Sequence, residues 1–482
     1  MATVQRTAAE DSKMALDVDA YEYAPSDLRL EQLHVYVRHG ERTPVHPRLA
    51  EYIPPLWPLC RTSFLTYANI LQRRPDPRAE VLSPLGKDWH GVGLVKMERV
   101  AEVPRGRDEA GHEFDGMEHA CGFGQLTDKG VVSTSLFGSS LRALYVDKLG
   151  FLPPFYLPES AYFRSTDMPR TIATLQHIIS HLYPPWQHPA GELAAPSPRI
   201  LVRFQADEDL MQNMTCERFR LFREVWAKAV EPHIDEQLKV LDEKLSKYID
   251  GRPVRLNGHP KLSGLLDTVK SAHAHGIPVP PEFREPEVMR LMESAVVAEW
   301  FGGYRHPEIR TLGSGRVFSD LQKVMSTKIA SPSDPIKLRI LSTHDTTLAT
   351  MLISMGVFDG KWPDFTSSII FELFRRDEGR RLFSSAKPQY YVRARYQNRS
   401  LSLPACAPVG AHYPNRPELC TFQAFSSLVA TMTPKNWRQQ CLLPLGEEDY
   451  NVLEGRGVGG QIMFEVTEDR KTGMGMPERD GR

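Results

Sequence analysis

Short apolar runs and amphipathic segments alternate along the first part of the chain. Residues 33–37 form an apolar run of the length of a buried strand, and residues 172–182 repeat apolar side chains at helical spacing before two prolines. This alternation predicts a layered α/β protein between about residues 29 and 204. A second apolar run at residues 336–341 predicts that the chain returns to the same sheet.

The middle of the chain has a different pattern. Residues 217–249 are rich in charge and have helical periodicity, residues 286–301 and 316–329 share it, and no segment there alternates convincingly like a strand. We therefore predict an α/β fold with a central, mostly parallel mixed sheet flanked by helices and an inserted, mainly helical cap domain. The predicted organisation is a flexible N-terminal arm at residues 1–28, an α/β core at residues 29–204 and 327–482, and a cap at residues 205–326.

A cluster of basic side chains follows the first apolar run. Residues 38–44 read Arg-His-Gly-Glu-Arg-Thr-Pro, which places His39 between Arg38 and Arg42 at the end of a strand. Arginine donors match phosphate oxygens, and a histidine nitrogen can attack phosphorus or carry a proton. A basic surface turn is the alternative explanation for a bare Arg-His-Gly, but the full pattern directly after a strand is far more specific.

A second candidate lies where the later apolar run ends. His344 and Asp345 precede a segment with helical spacing at residues 348–355, so they lie at a strand-to-helix junction. A helix start favours anions. Taken alone, the pair is more simply explained as a helix cap. Together with the first motif, Asp345 becomes a candidate acid for a leaving oxygen and His344 a candidate donor to phosphate.

A third candidate, Arg164, follows a short apolar stretch and precedes the helix at residues 172–182. Its predicted place at a strand end matches that of Arg38, so we expect its guanidinium group to reach the same edge of the sheet. The alternative is that Ser165, Thr166 and Asp167 only cap the helix, with the arginines on its flank. The two explanations are compatible.

These motifs make the chain similar to a known family. It resembles the histidine acid phosphatases, which form the second branch of the histidine phosphatase superfamily, and residues 124–130, 365–374 and 420–441 add support. The resemblance implies that His39 is the nucleophile that becomes a phosphohistidine and that Asp345 donates the proton. It further implies that no metal or other cofactor is used, and that phosphate is bound by Arg38, Arg42, Arg164 and His344.

The expected activity is therefore hydrolysis of a small phosphomonoester. Around residues 124–171 the chain resembles the intracellular lysophosphatidate phosphatases, which implies a phospholipid-like substrate. A phosphoglycerate-mutase-type phosphotransferase also uses Arg-His-Gly, but the Arg-x-Pro extension, the adjacent His344 and Asp345 and the large insertion argue against it. A non-catalytic binding scaffold is the third possibility, and it predicts a missing nucleophile, whereas His39 is present.

The composition limits the kinds of partner that the chain is expected to bind. The chain has 482 residues, of which 41% are hydrophobic, and its 59 basic and 60 acidic side chains give a net charge of −1. This balance argues against nucleic-acid binding through a basic surface. No stretch is long and apolar enough to span a bilayer, and the oligomeric state stays open. His34 and His46 flank His39, yet single histidines are more often packed or exposed than bound to a metal.

The cellular compartment also stays open. Residues 1–28 are polar and acidic and lack the apolar core of a secretion signal, which favours an intracellular location. The six cysteines are widely spaced, and an even count proves little in a chain of this length. Secreted members of the family have disulfides near their C-termini, in the part of the chain that here holds Cys406, Cys420 and Cys441.

Overall fold

The computed structural model describes residues 15–62, 106–107, 113–114, 120–184, 198–377 and 388–453. The strands are β1 (Leu28–Arg38), β2 (Gly106–Arg107), β3 (Glu113–Phe114), β4 (Ala161–Ser165), β5 (Ile200–Leu201), β6 (Leu338–Thr343), β7 (Ser368–Arg376), β8 (Tyr390–Tyr396), β9 (Arg399–Leu401), β10 (His412–Tyr413) and β11 (Arg416–Thr421). The helices are α1 (Asp128–Leu141), α2 (Pro169–Leu182), α3 (Glu217–Leu238), α4 (Asp242–Leu245), α5 (Leu262–His275), α6 (Pro286–Phe301), α7 (Pro307–Gly313), α8 (Gly315–Ala330), α9 (Asp345–Ser354), α10 (Phe422–Met432), α11 (Trp437–Gln440) and α12 (Glu447–Leu453).

One large mixed sheet organises the protein. Its strand order is β10-β11-β8-β7-β1-β6-β4-β5, with β9 paired to β8, and β2 and β3 form a separate hairpin. Strands β1, β6, β4 and β5 are parallel, whereas β7, β8 and β11 continue the sheet in antiparallel pairs. The predicted fold class, a mixed sheet with parallel central strands flanked by helices, is confirmed.

The apolar run of β1 is buried on both faces of the sheet. Leu33, Val35 and Val37 pack with side chains of α1 and α2 on one face. Tyr36 points to the other face, where it packs with Phe318 of α8 and residues of α9. Successive side chains of β1 point to opposite faces of the sheet and so contribute to two cores. A strand that is buried on both faces has a continuous apolar sequence.

Between β5 and β6 every residue is described, and this part of the chain contains helices and turns but no strand. Most of its apolar side chains belong to one core, which includes Phe219, Phe222 and Trp226 of α3, Leu266 of α5 and Met292 of α6. Leu49, Ile53 and Trp57, from the segment after the basic motif, pack into the same core. The helical character agrees with the sequence pattern. The domain boundaries at residues 205 and 326 stay a prediction.

The predicted N-terminal arm lies partly outside the described residues, which begin at Ala15. Leu16 and Tyr21 are buried against the core. The Tyr21 hydroxyl donates a hydrogen bond of 2.8 Å to Glu372 in β7. The described end of the arm therefore packs on the sheet, and the rest of the predicted arm lies outside the described residues.

All six cysteines are paired. The disulfides are Cys60–Cys121, Cys216–Cys441 and Cys406–Cys420. Such bonds persist in oxidising compartments and are rare in the cytosol of most organisms. The pairing therefore weighs against a cytosolic location. Among the described residues, no helix is both long and apolar enough to cross a membrane.

Candidate active site

The basic motif begins at the carboxyl end of β1. Arg38 is level with Thr343, the last residue of β6, and the His39 amide donates to the Thr343 carbonyl at 3.1 Å. The Gly40 amide donates to the Thr174 hydroxyl of α2 at 3.0 Å. A Cβ atom on Gly40 would lie only 2.8 Å from the Gly130 carbonyl of α1, so glycine allows the loop to approach this helix.

One hydrogen bond fixes the tautomer of His39. Its Nδ1 lies 2.9 Å from the Gly40 carbonyl, which can only accept, so Nδ1 carries the proton and Nε2 keeps its lone pair. The imidazole is 1% exposed. Burial lowers the pKa of His39 well below its usual value, and the charges of Arg170, Arg38 and Arg42 lower it further. The ring is thus neutral and nucleophilic in mildly acidic solution.

His344 and Asp345 meet this loop from the end of β6. His344 is the residue before α9, its ring centroid is 5.6 Å from that of His39, and its Nε2 lies 3.0 Å from the Thr166 hydroxyl. Burial lowers the pKa of His344 to about 3, with help from Arg170. His344 is therefore a neutral group beside His39.

Asp345 forms an ion pair with the first arginine. Its Oδ2 lies 2.5 Å from Nη2 of Arg38, whose Nη1 donates to the Pro363 carbonyl at 2.6 Å. Burial raises the pKa of Asp345, but Arg38, Arg42 and His344 together outweigh burial and hold it below its usual value. Without a bound substrate, Asp345 is therefore a carboxylate in mildly acidic solution.

Arg42 links the motif to a cap helix. Its Nη2 donates to Oδ1 of Asp267 in α5 at 2.8 Å, and the other carboxylate oxygen accepts the Val45 amide at 2.9 Å. The guanidinium groups of Arg38 and Arg42 lie 4.1 and 5.7 Å from the ring centroid of Phe365. Stacking and pairing hold both cations beside His39.

A further arginine, Arg170, belongs to the site and was assigned no role from the sequence. It lies one helical turn before Thr174 on α2, on the face that holds the motif loop. Burial, and then Arg42, lower the pKa of Arg170 to about 10, which still leaves it charged. Among the described residues its guanidinium group makes no hydrogen bond or ion pair, and it lines a cavity with His344 and Asp345.

The structure does not bring Arg164 to this cluster. Arg164 is level with Leu341 of β6, two residues short of the row that contains Arg38. It therefore lies about 7 Å further back along the sheet. Its guanidinium group is buried and pairs with Glu208 at 2.5 Å and with Asp209. The predicted phosphate-binding role of Arg164 has no geometric support, and that of Arg38, Arg42 and His344 stays a prediction that the clustering favours.

Comparison with known proteins shows which family this chain belongs to. A model of the histidine phosphatase superfamily (branch 2) matches residues 29–397, more than half of the chain. The chain belongs to this family. The match begins with β1 and ends just after β8, so it spans every residue of the cluster around His39.

The relatives are phosphatases. The chain is 32% identical over 465 residues to a probable acid phosphatase of Schizosaccharomyces pombe, which covers 86% of this chain and 95% of the relative. It is 22% identical over 442 residues to the human lysophosphatidic acid phosphatase type 6, covering 88% and 89%. The chain is therefore an acid phosphatase, a phosphomonoester hydrolase of the histidine phosphatase superfamily, rather than a mutase or a scaffold.

A solved structure supports the fold alone. The Hafnia alvei phytase in complex with tartrate superposes with a TM-score of 0.54 at 15% identity, covering 87% of this chain and 100% of the phytase. At this identity the likeness extends to the mixed sheet and its helices. It carries no argument about the substrate.

Two cavities open from the catalytic cluster of this phosphatase. One, of about 740 Å³, runs from Arg38 and Arg42 along α5. The other, of about 560 Å³, lies beside Arg170 and His344. Both are lined by Trp300, Asp345 and Thr346. Asp345 is therefore accessible from both cavities.

The two histidines that flank the motif, His34 and His46, lie in different surroundings. His34 is fully buried in β1 and its Nε2 lies 3.2 Å from the Gln32 side chain, whereas His46 is exposed. No group of three or more His, Cys, Asp or Glu side chains among the described residues is arranged to hold a metal ion.

We expect Arg170→Ala to raise the KM for a phosphomonoester and to lower kcat, with kcat/KM falling about tenfold or more, because a charge-assisted hydrogen bond contributes about 1.5–3 kcal/mol. Arg164→Ala is expected to act on folding instead. Removing one partner of a buried ion pair costs about 3–5 kcal/mol of unfolding free energy.

Steady-state kinetics and denaturant unfolding of both variants measure the contrast. Arg164→Lys, which keeps the charge but loses the bidentate fork, replaces the alanine variant should that one not fold. A large rise in KM for folded Arg164 variants, with normal kinetics for Arg170→Ala, would return the phosphate-binding role to Arg164.

Proposed function

We propose that this phosphatase transfers the phosphoryl group of its substrate to Nε2 of His39 and then to water. The observation that carries the proposal is the neutral His39, with its Nδ1 proton held by the Gly40 carbonyl and Arg38, Arg42 and Arg170 around it. The cations offset the charge of the phosphate and of the transition state, in which charge is spread over three equatorial oxygens.

In the first half-reaction a bond forms between Nε2 of His39 and phosphorus while the bond from phosphorus to the leaving oxygen breaks. Asp345, once protonated, gives its proton to that oxygen, and the alcohol departs. His344 supplies a further hydrogen-bonding group to the transferred phosphoryl group. The product is a phosphohistidine whose charge the three arginines still offset.

In the second half-reaction water attacks phosphorus from the side that the leaving group has vacated. Asp345 takes a proton from this water while the bond from phosphorus to Nε2 breaks. Inorganic phosphate leaves, and His39 returns to the neutral tautomer. By microscopic reversibility, the group that acts as acid in one half-reaction acts as base in the other.

Release of inorganic phosphate from an aryl phosphate at acidic pH is the primary test. The proposal predicts continuous release with a burst of the aryl alcohol when hydrolysis of the phosphohistidine is the slower step. A mutase-type enzyme would instead move phosphate between acceptors with little release to water. A protein that bound the ester without turnover would contradict the proposal.

The natural leaving group is a separate question. The sequence predicts a phospholipid-like monoester, and the relative named as a lysophosphatidic acid phosphatase agrees with this. Aromatic side chains favour it too, since Trp300, Trp362 and Phe365 line the larger cavity. Hydrolysis of long-chain against short-chain alkyl monophosphates at matched concentrations tests whether an apolar chain raises kcat/KM.

We expect activity to survive dialysis against EDTA. Three arginine cations are already available to offset phosphate charge, so catalysis in this site does not require a divalent ion. Phosphate release before and after chelation is the measurement. Loss of activity that a single divalent ion restores would show that the charge compensation assigned to the arginines is incomplete.

A further inference from the structure

The larger cavity extends well beyond the groups that hold phosphate. It is lined by Arg38 and Arg42, and also by Arg48 and by Lys261 and Ser263 at the start of α5. Asp267, the partner of Arg42, lies six residues after Lys261, which is about 9 Å along the helix. A volume of about 740 Å³ is that of a small-molecule pocket rather than of a bare phosphate site. We call the part of the cavity at Arg48, Lys261 and Ser263 its far end. This part has room for a portion of the substrate other than the transferred phosphoryl group.

The cations of this cavity differ in how far they are neutralised. Lys270 lies 3.2 Å from Glu293 and 3.9 Å from Asp364, so its charge is shared with two carboxylates. Arg48 and Lys261 form no ion pair with a carboxylate among the described residues. The Arg48 guanidinium group makes a single hydrogen bond, at 3.2 Å, to the His46 carbonyl.

Lys261 acts electrostatically on the carboxyl of Glu299. Burial raises the pKa of Glu299, against the opposing charges of Arg223 and Lys261. A carboxyl that is more readily protonated offsets a neighbouring cation less. Because Arg48 and Lys261 form no ion pair among the described residues, the far end of the cavity keeps positive charge, whereas Asp345 and Asp267 are paired to Arg38 and Arg42.

A glycine places Arg48 at this end. The side chain of Arg48 crosses α5 at Gly264, where a Cβ atom would lie 2.1 Å from Nε, 2.3 Å from Cζ and 2.7 Å from Nη2. A real Cβ cannot come this close, so any other residue at position 264 displaces the guanidinium group. Lys261, the residue before the first turn of α5, precedes Gly264 by three residues, and both Arg48 and Lys261 line this cavity.

We propose that Arg48 and Lys261 form a second anion subsite, so that the preferred substrates are phosphomonoesters whose leaving group carries another anionic group, a phosphate or a carboxylate. The inference rests on the proposed function and deepens it. Arg48 offers a planar fork to such a group and Lys261 a point charge. The same cavity is also lined by Leu266, Met289 and Val296, which suits a hydrocarbon spacer.

Matched ester series test the proposal. Straight-chain alkyl monophosphates of increasing length are compared with the same chains bearing a terminal phosphate and with those bearing a terminal carboxylate. At the chain length that spans the cavity, the wild-type protein is expected to prefer one or both series with a second anionic group about tenfold or more in kcat/KM, because charge-assisted contacts add to binding. The measured quantity is the ratio of kcat/KM for such an ester to kcat/KM for the simple alkyl monophosphate of the same length. The preference should shrink as ionic strength rises.

The variants Arg48→Ala and Gly264→Ala are expected to reduce this ratio of kcat/KM values to about twofold or less, since the first removes the guanidinium group and the second displaces it from its position in the subsite. The surface variant Arg252→Ala, which changes the net charge equally, should keep it. A ratio is used because general damage to the fold lowers both rates together.

Each outcome decides one claim. A wild-type ratio near unity at every chain length overturns the subsite, and so does a ratio that is unchanged in both variants. In either case phosphate release from the simple alkyl monophosphates continues. Absence of release from all esters instead overturns the proposed function. The carboxylate and phosphate series separately identify the chemistry of the second group.

Discussion

Replacing His39 with alanine is expected to abolish turnover while the protein stays folded. The phosphoryl group then has no acceptor nitrogen, because His344, the nearest other imidazole, is 5.6 Å away between ring centroids and belongs to a different strand end. Loss of a covalent nucleophile commonly lowers kcat by roughly 10⁴-fold to 10⁶-fold. What remains would be the contribution of the arginines to direct attack by water.

The phosphoenzyme supplies the positive half of this test. Phosphohistidine is labile in acid, so turnover is stopped with alkali and denaturant, and peptide mapping should find phosphate on His39 in the wild-type protein only. His181→Ala, which removes a partly buried imidazole of α2, is the matched control and should keep both turnover and the phosphopeptide. A His39→Ala protein with more than a small fraction of wild-type activity would rule out the covalent route.

The burial that keeps His39 neutral also lowers the stability of the folded protein in acid. His39 and His344 titrate below the usual pKa in the folded protein, so the unfolded chain binds more protons as pH falls through about 6.5. Their contribution to the unfolding free energy is thus present above that pH and is lost progressively below it. In mildly acidic solution the lowered pKa keeps His39 neutral, and the free energy of unfolding is smaller than it is at neutral pH.

Much of the site follows from the order of strands. The apolar runs of β1 and β6 are buried on both faces, so the pattern predicted two parallel strands, and adjacency of their carboxyl ends brings His39 to His344. The N-terminal positions of α9 then place Asp345 beside Arg38. Sequence reasoning succeeds here because each step depends on local pattern and on one rule about parallel sheets.

The choice of the third arginine needed information that the pattern lacks. Arg164 and Arg170 both flank a strand-to-helix junction, but register decides which one reaches the edge of the sheet. Register depends on pairing with a strand far along the chain, and the partners of Arg164, Glu208 and Asp209, follow a separate short strand. The spacing from Arg170 to Thr174 was the available signal, since it puts both on one face of α2.

The cavities could not be predicted from the sequence either. Arg48 precedes Gly264 by over two hundred residues, and only the packed structure shows that the side chain of one crosses the bare backbone of the other. The disulfide partners are a similar case, because six cysteines allow fifteen pairings and composition chooses none of them.

Asp345→Asn is expected to slow phosphoenzyme formation strongly for esters with poor leaving groups and weakly for those with good ones. An alkyl alkoxide needs a proton as the bond to phosphorus breaks, whereas a nitrophenolate leaves as an anion. General acid catalysis contributes roughly a hundredfold to ten-thousandfold. Rapid-quench measurement of phosphoenzyme formation with an alkyl and a nitrophenyl phosphate compares the two losses directly.

Matched carboxylates separate acid catalysis from charge. Asp364→Asn removes another carboxylate from the larger cavity and should alter KM without making the rate depend more steeply on the leaving group. In Asp345→Asn, hydrolysis of the phosphohistidine should also slow, because the base for water is lost. Equal losses of phosphoenzyme formation for both esters would make Asp345 a partner of Arg38 and leave the acid unidentified.

The state of Asp345 before binding predicts the pH dependence. Burial raises its pKa, but Arg38, Arg42 and His344 outweigh burial, so the unliganded protein holds a carboxylate there in mildly acidic solution. The proton must therefore arrive with the monoanion of the substrate, or be taken up when a bound phosphate draws Arg38 away. Both routes weaken as the ester loses its second proton near pH 6, about the second pKa of a phosphate monoester. For alkyl esters kcat/KM should accordingly fall as pH rises through that value, and a profile that instead rose through it would mean that Asp345 does not need to be protonated.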